Sequence, residues 1–181
     1  MTARRSPRSW TVPGVLAMLP IFASTSLVAC GDPVQDNKVN ALGAETDGVP
    51  PGPTHRPGQP CLACHGGSGP ASTQFSIGGT VYTDPGKVPA NGATVSLYDA
   101  TGSAVSATTN AAGNFWIPQS QWAPTFPVHV AGVGYGSDTY EMTTHIGRDG
   151  SCASCHYDLP AGGAGGAAVG HIYSPSADAG P

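Results

Sequence analysis

The sequence predicts a mainly β protein: a small antiparallel Greek-key β-sandwich, flanked by short helical turns and by linkers without regular structure. Between residues 75 and 134, short alternating apolar segments recur at close spacing and are separated by Gly, Asn and Asp turns. The 26 Gly and 18 Pro residues make up about a quarter of the chain, so any packed core must be local. The run Cys-x-x-Cys-His occurs twice, at 61–65 and 152–156, one copy on each side of the alternating segments.

Residues 1–29 have the layout of a secretory signal peptide. Three arginines within the first eight residues are followed by an uncharged, largely apolar stretch from 9 to 29. The run Leu-Val-Ala-Cys-Gly at 27–31 resembles the lipobox of bacterial lipoproteins, and this resemblance implies cleavage before Cys30 and acylation of its thiol. The alternative is an uncleaved transmembrane anchor, for which the uncharged stretch is about long enough. Pro13, Gly14 and Pro20 interrupt that stretch and favour the lipoprotein.

Residues 30–53 are predicted to comprise the lipidated Cys30 and a disordered tether. The segment is rich in Gly, Pro, Asp, Asn and Gln, shows no periodicity, and lacks the apolar surface needed to offset the entropy of ordering. Residues 54–74 then form the first Cys-x-x-Cys-His segment, with a helical turn beginning at Pro60 and ending at Gly66.

Alternation predicts five strands between the two repeated motifs. Ile77 and Val81 share one face of the first strand, and Ala93, Val95 and Leu97 share the buried face of the second. The strands are expected at 75–82, 93–98, 104–109, 115–117 and 126–131.

Three runs within these strands carry a resemblance to a known family. Gly-Thr-Val at 79–81, Gly-Ala-Thr-Val-Ser-Leu at 92–97 and Thr-Thr-Asn-Ala-Ala-Gly-Asn-Phe at 108–115 resemble the carboxypeptidase regulatory-like domain. The resemblance implies a transthyretin-like sandwich over residues 75–143 that serves as a non-catalytic spacer or binding module. The chain contains neither an H-E-x-x-H nor a G-x-S-x-G run, so no peptidase activity follows from it.

Two copies of Cys-x-x-Cys-His predict two covalent haem c groups. Such a run is typical of c-type haem attachment, in which two thiols add across the vinyl groups and the following His binds the iron. A chain with five Cys and six His would contain only about 0.005 such runs by chance. The sequence therefore resembles c-type cytochromes at residues 54–74 and 144–160, with four attachment thiols and two iron ligands: Cys61, Cys64, Cys152, Cys155, His65 and His156.

A Thr-His pair precedes each motif, at 54–55 and 144–145, and supplies the expected sixth iron ligands, His55 and His145. His171 and Met142 are the substitutes, whereas His129 alternates with two valines and is expected to face solvent. Arg56 and Arg148 follow these histidines closely and are candidates to pair with haem propionates. Residues 161–181 form a Gly/Ala/Pro-rich tail that is expected to be disordered apart from the patch at Ile172 and Tyr173.

Charge bears on the choice of partner. The formal charge is −4, and three of the seven basic residues lie in the leader, so the mature chain has four basic residues against 11 acidic ones. An acidic protein is a poor nucleic-acid binder and suits a redox partner with a basic docking surface. The sequence as a whole predicts an exported, lipid-anchored dihaem electron carrier at the outer membrane or periplasmic face, and no substrate-converting enzyme.

Two other classes remain open. One is a non-redox adhesion or interaction lipoprotein in which the Cys pairs form disulfides or bind zinc. The other is a peroxidase-like or gas-sensing haem protein with an open iron position.

Overall fold

The computed structural model describes residues 32–45, 47–83, 88–157 and 169–175. It contains two helices, one 3-10 turn and eight strands. In chain order these are α1 (Pro33–Ala41), α2 (Leu62–His65), β1 (Phe75–Thr83), β2 (Val88–Pro89), β3 (Thr94–Asp99), β4 (Ala104–Thr108), β5 (Asn114–Pro118), β6 (Val128–Tyr135), β7 (Asp138–Tyr140), the 3-10 turn (Cys152–Ser154) and β8 (Ile172–Ser174). Among these residues, no helix combines the length and apolar character needed to cross a bilayer.

The first sheet is built around β1. β5 pairs with β1 in antiparallel register, which sets Gly78 opposite Trp116 and Gly79 opposite Phe115. β2 pairs antiparallel with the end of β1, and β8 pairs with the same end in parallel. Ser151 forms a parallel bridge with Gly78, so the chain just before the second Cys-x-x-Cys-His motif also runs alongside β1.

The second sheet has the strand order β4-β3-β6-β7, with antiparallel pairing throughout. The β3–β4 turn is organised by Asp99, whose carboxylate accepts hydrogen bonds from the N–H groups of Thr101, Ser103 and Thr125 at 2.9 Å each. Gly102 in this turn has φ +83°, a conformation that glycine adopts without steric cost. The turn therefore fixes the register of β3 against β4.

The core lies between the two sheets. Ile77, Val81, Phe115 and Ile117 of the first sheet contact residues of the second sheet in one buried cluster, which includes Val95, Leu97, Val128 and Val133. Each fully buried side chain of this size stabilises the fold by about 1.5–3 kcal/mol. The predicted mainly β sandwich is confirmed, as is the burial of Ile77, Val81, Ala93, Val95 and Leu97.

Three features differ from the sequence-based expectation. A helix, α1, lies within the segment expected to be a disordered tether. Asp32 caps α1 by accepting from the N–H groups of Val34 and Gln35, and the Gln35 amide donates to the Ala63 carbonyl in α2. β8 lies at the Ile172 and Tyr173 patch that was excepted from the expected disorder of the tail, but its parallel pairing with distant β1 was not predicted. His129 is half-buried because its ring stacks on Tyr98, with ring centres 4.9 Å apart.

Candidate cofactor sites

The first motif forms a single helical turn. The N–H groups of Cys64 and His65 both donate to the Cys61 carbonyl, at 3.2 and 2.9 Å. One turn of this kind places residues one, four and five of the motif on one side of the helix. The chain after the turn folds back, and the Ala71 N–H donates to the Cys64 carbonyl at 3.0 Å.

The His65 ring is fixed by this returning chain. Its Nδ1 lies 2.8 Å from the Thr73 carbonyl, and its face stacks on Phe75 with ring centres 4.1 Å apart. With Nδ1 as the donor, the lone pair resides on Nε2, which is the arrangement that histidine ligands of metals adopt. The imidazole is therefore oriented for ligation by its backbone partner.

His55 lies beside His65, as the repeated Thr-His pair suggested. The two ring centres are 5.9 Å apart, and His55 Nδ1 contacts the Gly52 carbonyl. Two imidazoles bound on opposite sides of one metal ion, each with a metal–nitrogen distance of about 2 Å, have ring centres about 6 Å apart. The separation of the two rings matches this value, with their planes inclined by 29°.

A cavity of about 640 Å³ adjoins these groups, with Cys61, Cys64, His55 and His65 in its wall. The volume lies within the range of about 300–1,000 Å³ that is typical of cofactor sites. Much of the remaining wall is apolar and comes from both the linker and the first sheet: Leu42, Pro53, Pro60, Ala71, Phe75 and Trp116.

The second motif repeats this pattern of contacts in a 3-10 turn. The N–H groups of Cys155 and His156 donate to the Cys152 carbonyl at 3.1 and 2.9 Å, and the Val169 N–H donates to the Cys155 carbonyl at 3.2 Å. His156 Nδ1 lies 3.0 Å from the Gly170 carbonyl. Burial lowers the pKa of His156, and this favours the neutral imidazole that binds metals.

The second cavity has a volume of about 720 Å³ and reaches the core between the two sheets. Cys152, Cys155, His156, His145 and His171 contribute to its wall. The apolar part of the wall comes from both sheets and includes core residues and residues outside the core: Val95, Phe115, Val130, Val133, Ile172 and Tyr173.

His145 is placed differently from His55. It lines the second cavity, but it is exposed, and its ring centre lies 5.8 Å from that of His129. Tyr98, His129 and His145 form a row of rings on the second sheet. His171 follows Gly170, whose carbonyl contacts His156 Nδ1, and its ring packs on Tyr82 with ring centres 4.7 Å apart.

The two motifs lie against opposite faces of β1. A Cβ added to Gly78 would lie 3.1 Å from Cys61 Cβ, and one added to Gly79 would lie 2.7 Å from Cys152 Cβ. Successive strand residues face opposite sides, so the turns approach β1 from its two sides at adjacent positions. The consecutive glycines provide the space for both approaches, which is a known use of glycine within strands.

Burial also affects the thiols. It raises the pKa of Cys61 to about 11 and that of Cys152 to about 12, so both are protonated at neutral pH.

The four described cysteines are free thiols. Within the described part of the chain, no three His, Cys, Asp or Glu side chains converge as a metal site. Cys30 lies outside the described residues.

Sequence reasoning missed four residues that contribute to these sites. The Thr73 and Gly170 carbonyls carry no sequence signal because any residue supplies a backbone carbonyl. Phe75 and Trp116, whose ring centres lie 5.8 Å apart, looked like ordinary strand residues but line the first cavity. Consecutive glycines inside a predicted strand were a usable signal of close approach.

Comparison with known proteins identifies one region. Residues 76–151 match the carboxypeptidase regulatory-like domain, in agreement with the resemblance noted in the strands. Searches of curated proteins and of solved structures returned no match. The matched domain spans the described strands β1 to β7 and ends just before the second Cys-x-x-Cys-His turn.

Proposed function

We propose that this protein is an extracytoplasmic, lipid-anchored dihaem c-type cytochrome that transfers electrons and converts no substrate. The observation that carries the proposal is the shared arrangement of the two motifs. Each places two thiols and a histidine at the wall of a cofactor-sized cavity, and each histidine has Nδ1 against a backbone carbonyl. A covalently attached haem c would supply a reversible one-electron couple at these sites.

The residues present fit this group. Cys61 and Cys64 would hold one haem by thioether bonds, and Cys152 and Cys155 the other. The glycine pair in β1 leaves room for the first cysteine of each motif, where an added Cβ would come within 3.1 Å or less of the cysteine Cβ. The apolar cavity walls would exclude water from much of the cofactor.

The histidines have separate tasks. His65 and His156 would bind iron through Nε2, since Nδ1 is engaged with the backbone. His55 would occupy the sixth position of the first iron, as its 5.9 Å separation from His65 supports. His145 would occupy the sixth position of the second iron; its place in the cavity wall supports this, and its exposure allows it to move. His171 is less suited, because its ring packs on Tyr82.

Location and partner follow from the same proposal. Cys30 would carry the lipid that anchors the chain to the outer membrane or to another membrane at the periplasmic face. Export agrees with covalent haem attachment, which the resemblance to c-type cytochromes places outside the cytoplasm. The acidic chain would bind to a basic surface on its redox partner, and the affinity would fall as the salt concentration rises.

The test is to express the full chain with a c-type maturation system and to combine haem staining with intact mass. We expect a stained band and an intact mass that exceeds the mass of the mature chain by two haems. Cys61→Ser with Cys64→Ser should remove one haem, and Cys152→Ser with Cys155→Ser should remove the other. An unstained wild-type protein of chain mass alone would overturn the proposal and leave the interaction lipoprotein, with disulfides or zinc at the Cys pairs.

Spectra of histidine variants test the ligands. His55→Ala and His145→Ala should each convert one of the two haems from low-spin to high-spin and allow it to bind carbon monoxide. His171→Ala is the matched control and should leave both haems low-spin. A wild-type protein that already binds carbon monoxide at one site would favour the gas-sensing or peroxidase-like class for that site.

A further inference from the structure

Arg56 adopts a backbone conformation that side chains rarely take, directly after His55. Its φ is +49°, and no other non-glycine residue in the described ranges has a positive φ. Gly58 follows with φ +77°, and its N–H donates to Thr80 Oγ1 in β1 at 2.7 Å. The chain therefore turns sharply between His55 and the point where it attaches to the first sheet.

The Arg56 guanidinium is almost fully used within the protein. Its Nε donates to Glu45 Oε1 at 2.9 Å, and Nη1 donates to the Leu42 carbonyl and to Gln59 Oε1 at 3.2 and 2.8 Å. Nη2 donates to the Gly43 carbonyl at 2.8 Å. We call Arg56 and its four partners, Leu42, Gly43, Glu45 and Gln59, the Arg56 cluster. Four of the five guanidinium N–H groups are thus committed, so Arg56 is poorly placed to bind a haem carboxylate.

The Arg56 cluster links His55 to the first motif through α1. Leu42 and Gly43 lie at the C-terminal end of α1, where carbonyls lack helical partners and a cation is favourable. At the other end of α1, Gln35 donates to the Ala63 carbonyl within the motif turn. The ion pair is largely shielded, with side-chain exposures of 19% for Arg56 and 32% for Glu45.

The opposite side of His55 is attached to the sandwich. Asn114 Nδ2 in β5 donates to the His55 carbonyl at 2.9 Å, and Thr80 Oγ1 donates to Asn114 Oδ1 at 2.7 Å. The His55 backbone is thus held by β5 on one side and by Arg56 on the other. Its ring centre lies 5.9 Å from that of His65.

We propose that Arg56, paired with Glu45, is a positioning residue that holds the His55 imidazole opposite His65 in the first cavity. The identity of what His55 binds rests on the proposed function, whereas the placement of His55 by Arg56 does not. The planar guanidinium reaches two carbonyls and two side-chain oxygens at once, which a lysine ammonium cannot reproduce.

The experiment compares Arg56→Ala and Arg56→Gly with Lys38→Ala in the full chain. Lys38 is an exposed cation of α1 outside the Arg56 cluster, so its variant matches the loss of charge. Glycine tolerates the positive φ, so Arg56→Gly removes the guanidinium without backbone strain. Hydrogen exchange at the amides of residues 55, 56, 58 and 59 should be at least about tenfold faster in both Arg56 variants and unchanged in Lys38→Ala.

The haem-loaded protein provides a second readout. Both Arg56 variants should convert one haem to high-spin and bind one equivalent of carbon monoxide, and His55→Ala added to either should cause no further change. Exchange and spectra like those of wild type in Arg56→Gly would overturn the proposal. If Arg56→Ala does not fold, Arg56→Lys should give the same changes to a smaller degree, and wild-type behaviour there would count against the proposal.

Failure of the proposed function is distinguishable from failure of this inference. A wild-type chain that takes up no haem overturns the cytochrome alone, and the exchange comparison still decides the role of Arg56. Faster exchange in the Arg56 variants without haem supports the positioning role, whereas equal exchange in all variants refutes it.

Discussion

Replacement of Gly79 by alanine should destabilise the protein far more than the same replacement at Gly78. Both residues lie in β1, neither has a positive φ, and each faces the first cysteine of one motif. A Cβ at position 79 would lie 2.7 Å from Cys152 Cβ, 2.9 Å from Cys152 Sγ and 3.1 Å from Phe115 Cε1. A Cβ at position 78 would lie 3.1 Å from Cys61 Cβ and 3.4 Å from Cys61 Sγ.

These distances set the expected magnitudes. At position 79 the new methyl overlaps two side chains packed at the core, so the second turn must move, at an overpacking cost of about 1–3 kcal/mol. A loss of 2 kcal/mol lowers the ratio of folded to unfolded protein by about 30-fold. At position 78 the neighbouring chain needs to move only a few tenths of an ångström. There the reduced entropy of the unfolded chain, about 0.4–1 kcal/mol, offsets most of the strain.

Urea denaturation followed by tryptophan fluorescence measures both variants, since Trp116 and Trp122 lie in or near the core. We expect the urea midpoint to fall clearly for Gly79→Ala. The free energy of unfolding of Gly78→Ala should stay within about 0.5 kcal/mol of wild type. If the chain carries the two proposed haems, the intact mass of Gly79→Ala should lack one of them, whereas that of Gly78→Ala should include both. Equal midpoints for the two variants, or a greater loss for Gly78→Ala, would refute the tighter packing of the second turn against Gly79.

Two further predictions concern two buried polar residues, Asp99 and Asn114. The hydroxyl of Thr101 and neighbouring backbone N–H groups lower the pKa of Asp99 to about 2 from 3.8, so the stability it provides is complete above pH 3.8 and is lost as pH falls through about 2. The free energy of unfolding of Asp99→Asn, measured by urea titration at each pH, should not show this loss on acidification. Parallel curves of free energy against pH for the two proteins would contradict the assignment. Asn114→Ala should cost about 1–3 kcal/mol in the free energy of unfolding and speed exchange at His55, because it removes a buried hydrogen-bond partner. The exposed hydroxyl variant Ser106→Ala should stay within about 0.5 kcal/mol, and an equal cost at both positions would count against the Asn114 role.

Some of this structure followed directly from local patterns. Alternation placed β1 and β3 and identified Val95 and Leu97 as buried, because a strand with one buried face must alternate. The short strands β2, β7 and β8 were missed. β8 has only three residues, and its pairing with β1 is decided by a contact across some ninety residues of sequence. Helix α1 was missed because it buries none of its residues and shows no apolar periodicity.

The sequence alone determined the chemistry of the candidate sites: which thiols and imidazoles are present, their spacing within each turn, and the upstream histidines. Spacing within one helical turn is a local property, so it can be inferred without the fold. Only the tertiary structure decided that the two turns lie on opposite faces of β1, that His55 lies beside His65, and that His145 instead contacts His129. These are contacts between segments distant in the chain, and their geometry depends on how both sheets pack, which no local pattern encodes.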